Sequence, residues 1–75
     1  MKPEELVERV RTALPDARVE LSGADCSFEL HVVSTQLTGK TQVARQRMLL
    51  GLFARELSSG ALHALSIRAH TPSEL

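Results

Sequence analysis

Apolar and polar positions recur along the chain with two different periods, and the switches between them divide it into five elements. Leu6, Val7, Val10, Ala13 and Leu14 recur at helical spacing, while Glu5, Glu8, Arg9, Arg11 and Thr12 fall mostly outside that stripe, which predicts an amphipathic helix lying on a sheet. Pro3 suits the first turn, Glu4 and Glu5 suit the positive end of the helix dipole, and Pro15-Asp16 stops the helix. The period then changes to two. Val19 and Leu21 alternate with Arg18, Glu20 and Ser22, and Phe28, Leu30 and Val32 alternate with Glu29, His31 and Val33. Ser22-Gly23-Ala24-Asp25 supplies turn chemistry between the two runs, so a β-hairpin is expected, with a loop somewhat longer than the tightest turns and Cys26 near the surface at its exit.

Ser34 to Lys40 reads as an irregular connection in which Leu37 tucks inward and Gly39 turns the chain. A second helix is expected from about Thr41 to Leu57, with Val43, Ala44, Met48, Leu49, Leu52, Phe53 and Leu57 as a wide apolar stripe and Gln42, Arg45, Gln46, Arg55 and Glu56 toward water. Gly51 is its weak point, because glycine inside a helix costs about 1 kcal/mol against alanine. Either another part of the backbone comes close there, or the helix bends or divides. Gly60 is suited to cap the helix end. The last element is a strand in which Leu65, Ile67 and Ala69 oppose Ser66, Arg68 and His70, ended by Thr71-Pro72, with His63 just before it.

The order helix, strand, strand, helix, strand defines an α+β fold: one three-stranded sheet with helices on one face and a polar opposite face. Leu6, Val10, Val19, Leu21, Phe28, Leu30, Val43, Leu49, Phe53, Leu65 and Ile67 are the expected core. Seventy-five residues suit one domain, residues 1-75, near the lower size limit for independent folding. With Phe28 and Phe53 the only aromatic residues of the Phe, Tyr and Trp class, the core has to be aliphatic.

Charge changes the picture modestly. Nine basic residues balance nine acidic ones, but the first half is acidic while Lys40, Arg45, Arg47, Arg55 and Arg68 face only Glu56 and Glu74 in the second. One basic face is therefore expected, too weak for the many phosphate contacts of strong nucleic-acid binding. The single cysteine, Cys26, forms no intrachain disulfide, and no apolar run reaches the length of a membrane span. No charged-then-apolar leader precedes the first helix, and the expected location is cytoplasmic.

Candidate chemistry narrows by spacing. Gly39-Lys40-Thr41 before a helix suggests a phosphate loop, but the glycine that motif needs five positions earlier is Ser34. An RNA-clamping Gly-x-x-Gly loop fails as well, since Gln42 stands where the second glycine would be. Cys26 with His31 or His63 lacks oxyanion donors and a substrate pocket, so neither an enzyme nor a small-molecule substrate is expected. Thiolate and imidazole do suit iron sites, and Cys26 and His63 meet if the hairpin loop folds toward the last strand. Two ligands leave a two-iron two-sulfur cluster half held, so such a site would need donors from another molecule.

The run His63-Ala64-Leu65-Ser66-Ile67-Arg68-Ala69-His70-Thr71-Pro72-Ser73-Glu74, with Gly39-Lys40 and the arginine-flanked start of the long helix, resembles the BolA family, especially its IbaG-like branch. It departs from the family at Gln46, where a histidine is frequent, and at Leu75, where tryptophan and a basic tail are usual. The resemblance implies a class II KH-like arrangement with a mixed sheet. It also implies a monothiol glutaredoxin partner and a two-iron two-sulfur cluster shared with that glutaredoxin and glutathione, in iron homeostasis, cluster trafficking or stress response. His63 carries over as the family's signature ligand. Cys26 matches the hairpin loop that supplies the second, although IbaG-like relatives can place histidine where this chain has Ser27. Transcriptional roles in the family keep a second reading open, DNA binding through Lys40, Arg45 and Arg47.

Overall fold

The computed structural model describes residues 1–75. Helix α1 (Pro3–Ala13) leads into strand β1 (Arg18–Ala24) and strand β2 (Ser27–Val33); a 3-10 turn (Thr35–Leu37) precedes helix α2 (Gln42–Gly51) and helix α3 (Ala54–Ser59); strand β3 (Ala64–His70) and a final 3-10 turn (Pro72–Glu74) close the chain. The sheet order is β1-β2-β3, antiparallel between β1 and β2 and parallel between β2 and β3. The two helices between β2 and β3 form the long crossover that parallel pairing requires. The expected α+β order and mixed sheet are therefore present.

The two-residue period of β2 places Phe28, Leu30 and Val32 inward, where they join Leu6, Val10, Leu49, Phe53, Ile67 and Ala69 in one core. Val19, Leu21 and Leu65 are partly buried against it. Leu14, Ala17, Leu37 and Leu62 also belong to it. Ala13 of the expected helical stripe is exposed, and Leu14 closes the helix in its place. Val43, expected in the core, is 61% exposed.

The reason lies in what α2 packs against. Gln42, Arg45, Gln46 and Leu49 lie at helical spacing on the face toward β3, an edge strand whose outward carbonyls have no strand partner. Gln42 Nε2 donates to Ala69 O at 3.3 Å, Arg45 Nη1 to the same oxygen at 3.2 Å, and Gln46 Nε2 to Ile67 O at 3.1 Å. A polar stripe thus faces the protein because the surface it meets is a row of acceptors. Val43 is turned to solvent as a consequence.

Division of the long helix is the outcome seen at Gly51. Its Cβ position is open, with nothing within 4 Å, so close packing is not what glycine serves there. Leu52 and Phe53 leave helical hydrogen bonding for three-residue spacing, donating to Leu49 O and Leu50 O. That break turns Phe53 wholly into the core. Gly60 then ends α3 in the left-handed conformation at φ 86°.

Two polar clasps fasten the layers. Asp16 accepts from Ser34 Oγ at 2.6 Å, from Thr35 N at 2.9 Å and from Thr35 Oγ1 at 2.6 Å, and these donors hold its carboxyl below the usual carboxylate range. Arg9 of α1 pairs with Glu56 of α3, donates to Leu52 O at 3.0 Å and stands 5.4 Å from the Phe53 ring centroid. The hydrogen bond from Arg9 is the main reason that the Glu56 carboxyl is also lowered.

Candidate functional site

Cys26 lies in the turn between β1 and β2, which is tighter than the sequence suggests. Pairing continues through Ala24↔Ser27, leaving a two-residue connection of Asp25 and Cys26 at φ 54° and 66°. Positive φ at both central positions is the type I′ geometry that matches the twist of hairpin strands. Asparagine or aspartate followed by glycine is usual there, and a cysteine in the left-handed region is disfavoured by its Cβ. A rare conformation at a side chain able to ligate metal is a pointer to function.

The same turn is tied to the start of β3. Parallel register sets Ser27 opposite Ala64, so Cys26 and His63 occupy the preceding position at the same end of the sheet. The Cys26 carbonyl accepts from His63 N–H at 2.8 Å and from Ala64 N–H at 3.4 Å. The two residues are therefore held together through their backbones while their side chains stay available, Cys26 partly exposed and His63 exposed. No third histidine, cysteine, aspartate or glutamate completes a metal-binding group with them. As a donor set, one thiol and one imidazole fit half of a shared cluster site and leave the other half to a second molecule.

The basic triad does not hold together. Lys40 and Arg47 are exposed, but Arg45 is 4% exposed and engaged through both terminal nitrogens, with its Nε buried and unpartnered, so its assignment to a nucleic-acid surface is corrected. Its Nη1 and Nη2 donate to the Glu74 carboxylate at 2.7 and 2.9 Å, a two-pronged pair. Thr71 N–H donates to the same carboxylate at 3.0 Å. The hydrogen bond from Arg45 is the largest reason, ahead of that from Thr71, that the Glu74 pKa is lowered to about 2. The Glu74 bond likewise raises the Arg45 pKa above its usual value. Glu74, the last residue of the long C-terminal motif, thus binds the chain end to α2. No local pattern marks it for that role, because Arg45 lies 29 residues away.

A mixed three-stranded sheet with its helices on one face and a thiol–imidazole corner at one end defines a small α+β domain of KH-like topology. A family model described as BolA-like protein matches residues 6–74, and the chain belongs to the BolA-like family. It is 39% identical over 74 residues to an uncharacterized protein in the rpoN-murA intergenic region of Acinetobacter guillouiae, covering 99% of this chain and 89% of that one. Identity to the acid stress protein IbaG of Escherichia coli K12 is 28%, over 99% of this chain and 88% of the relative. The solved BolA domain of SufE1 from Arabidopsis thaliana has the same fold, with a TM-score of 0.85 and 31% identity over 100% of this chain and 99% of that domain. No helix is long and apolar enough to cross a membrane.

Proposed function

We propose that this chain is a binding adaptor, not an enzyme, that pairs with a monothiol glutaredoxin and shares a two-iron two-sulfur cluster with it through His63 and Cys26. The reading rests on one observation: the Cys26 carbonyl is held by the His63 amide at 2.8 Å while both side chains remain accessible at one corner of the sheet. A thiolate from the glutaredoxin and the sulfur of glutathione would supply the donors this chain lacks. When bound, the cluster supplies a pair of redox-active irons. The work of the chain is to present an imidazole and a thiol in a fixed relation on a rigid sheet end. A place for the pair in iron homeostasis, cluster trafficking or stress response, in the cytoplasm, belongs to the same proposal.

The DNA-binding alternative loses ground at Arg45, which is itself buried and paired with the Glu74 carboxylate, leaving Lys40 and Arg47 without a third neighbour from that triad. Two exposed cations make for weak attraction to phosphate, with the shallow salt dependence of few contacts.

Mixing the protein with cluster-loaded monothiol glutaredoxin tests the proposal. Replacement of thiolate by imidazole shifts the properties of a cluster, so the visible absorption and circular dichroism are expected to change on mixing. His63→Ala is expected to abolish the new spectrum, and Cys26→Ala to alter or weaken it. An unchanged spectrum with folded His63→Ala would remove His63 as a ligand and leave it a structural residue.

A further inference from the structure

The open face of the sheet carries a second group of metal-type donors, at the end away from Cys26 and His63. Parallel register pairs His31 with Arg68 and Val33 with His70, so the two histidines are diagonal neighbours on one face. Their rings meet edge to face, with centroids 5.1 Å apart and planes at 89°. His31 Nε2 and His70 Nδ1 are separated by 3.0 Å, and both residues are half-buried. Five residues along β2 and seven along β3 put this pair roughly 16–23 Å from the Cys26–His63 corner, at about 3.3 Å per residue.

Between neutral imidazoles, one of the facing nitrogens carries a proton and the other accepts it. Moving the donor's proton to its other ring nitrogen makes both facing nitrogens acceptors, with no change in the charge of the pair. That is the form a metal ion requires. The separation is close to that of cis ligands: metal–nitrogen bonds of about 2.0–2.1 Å spanning 3.0 Å subtend an angle of roughly 95°. Cis ligands of a square-planar or octahedral ion subtend about 90°, whereas the tetrahedral arrangement of structural zinc needs about 109°. Each ring turns by roughly 40° to aim its lone pair at the ion, given the same bond lengths.

We propose that His31 and His70 chelate a divalent transition-metal ion of tetragonal preference, copper(II) above nickel(II), at a site separate from Cys26 and His63. The order of the two ions follows the general rise in affinity toward copper(II) for nitrogen ligands. The surrounding charge does not oppose a cation. Glu20 and Glu29 balance Arg18 and Arg68 on the same face. Beside His31, on the side toward Glu20 and Glu29 and not lined by His70, lies a groove of about 240 Å³. No third protein donor of the His, Cys, Asp or Glu type completes the group, so water fills the remaining positions.

Copper(II) added to the unmodified protein in a non-coordinating buffer provides the first test, by electron paramagnetic resonance. The expected spectrum is tetragonal with hyperfine structure from two imidazole nitrogens at one equivalent, and coupling to a single nitrogen overturns the proposal. Nickel(II) titration followed by NMR is the second. Broadening is expected to centre on the His31 and His70 rings. His31→Gln and His70→Gln are each expected to weaken binding by at least roughly tenfold, since even outer-shell partners of a metal commonly contribute about 10–100-fold. His63→Ala is expected to leave the affinity unchanged. Broadening centred on Cys26 and His63, affinity unaffected in both glutamine variants, or loss of binding in His63→Ala would each overturn the assignment.

Discussion

At the scale of single residues, the hairpin turn shows how a correct local signal can be assigned to the wrong place. Gly23 reads as loop chemistry, yet it lies within β1 opposite Phe28, and the turn itself is made by Asp25 and Cys26. Its glycine is needed for two reasons. It sits at φ 114°, and a Cβ there would meet Ser27 O at 2.3 Å and Phe28 Cα at 2.9 Å, both backbone atoms that cannot swing away. Gly39, at φ 80°, has open space around its Cβ position. Gly23→Ala is therefore expected to destabilise the fold by more than the roughly 1–3 kcal/mol of an unfavourable backbone region alone, and Gly39→Ala by no more than that amount. Urea unfolding of the two variants compares them directly. Equal losses would mean that the contact at Ser27 relaxes without cost. Cys26 is the complementary case: its surface location was legible from the sequence, but its left-handed backbone was not, because the turn depends on how far strand pairing extends.

At the scale of elements, α2 marks the limit of hydrophobic periodicity. An apolar stripe identifies the buried face of a helix only when it packs on apolar side chains, and α2 packs beside the edge of β3, where carbonyl oxygens require donors. Gln42, Arg45 and Gln46 meet that requirement, and for the same reason Arg45 is lost to a basic surface. The clasp between Arg45 and Glu74 carries a pH dependence whose sign follows from its direction. Glu74 is lowered from 4.5 to about 2 on folding, so its contribution is fully present above about pH 4.5 and is lost as the pH falls through about 2. Asp16 and Glu56 are shifted in the same direction and add to the same acid loss. Denaturation midpoints of the parent chain and Glu74→Gln, measured from pH 7 downward, are expected to differ by a constant amount above about pH 5 and to converge toward pH 2. A difference that persists undiminished at pH 2 would show that the carboxylate charge is not what holds the clasp.

At the scale of the whole molecule, the element order, hairpin, inward set of β2 and three-stranded sheet were legible because each element repeats its period over several residues. Strand order and the parallel pairing of β3 were not, since they depend on where a crossover lands; the resemblance implied a mixed sheet where periodicity could not. The Cys26–His63 corner shares that dependence: the residue types suggested metal chemistry, while their proximity follows from parallel register between β2 and β3. That register rests on a core of thirteen buried residues in a 75-residue chain, for which a total stability of about 4–11 kcal/mol is ordinary. Leu30, wholly buried on the central strand, lies in that core. Leu30→Ala is expected to cost about 2–5 kcal/mol, a large share of that total. Val43→Ala, on the solvent side of α2, is expected to change stability by no more than about 0.5 kcal/mol. Paired urea titrations by far-ultraviolet circular dichroism distinguish the two positions. A loss at Val43 as large as that at Leu30 would require α2 to be rotated so that its apolar stripe faces the sheet, and the donors from Gln42, Arg45 and Gln46 to the edge of β3 would then be broken.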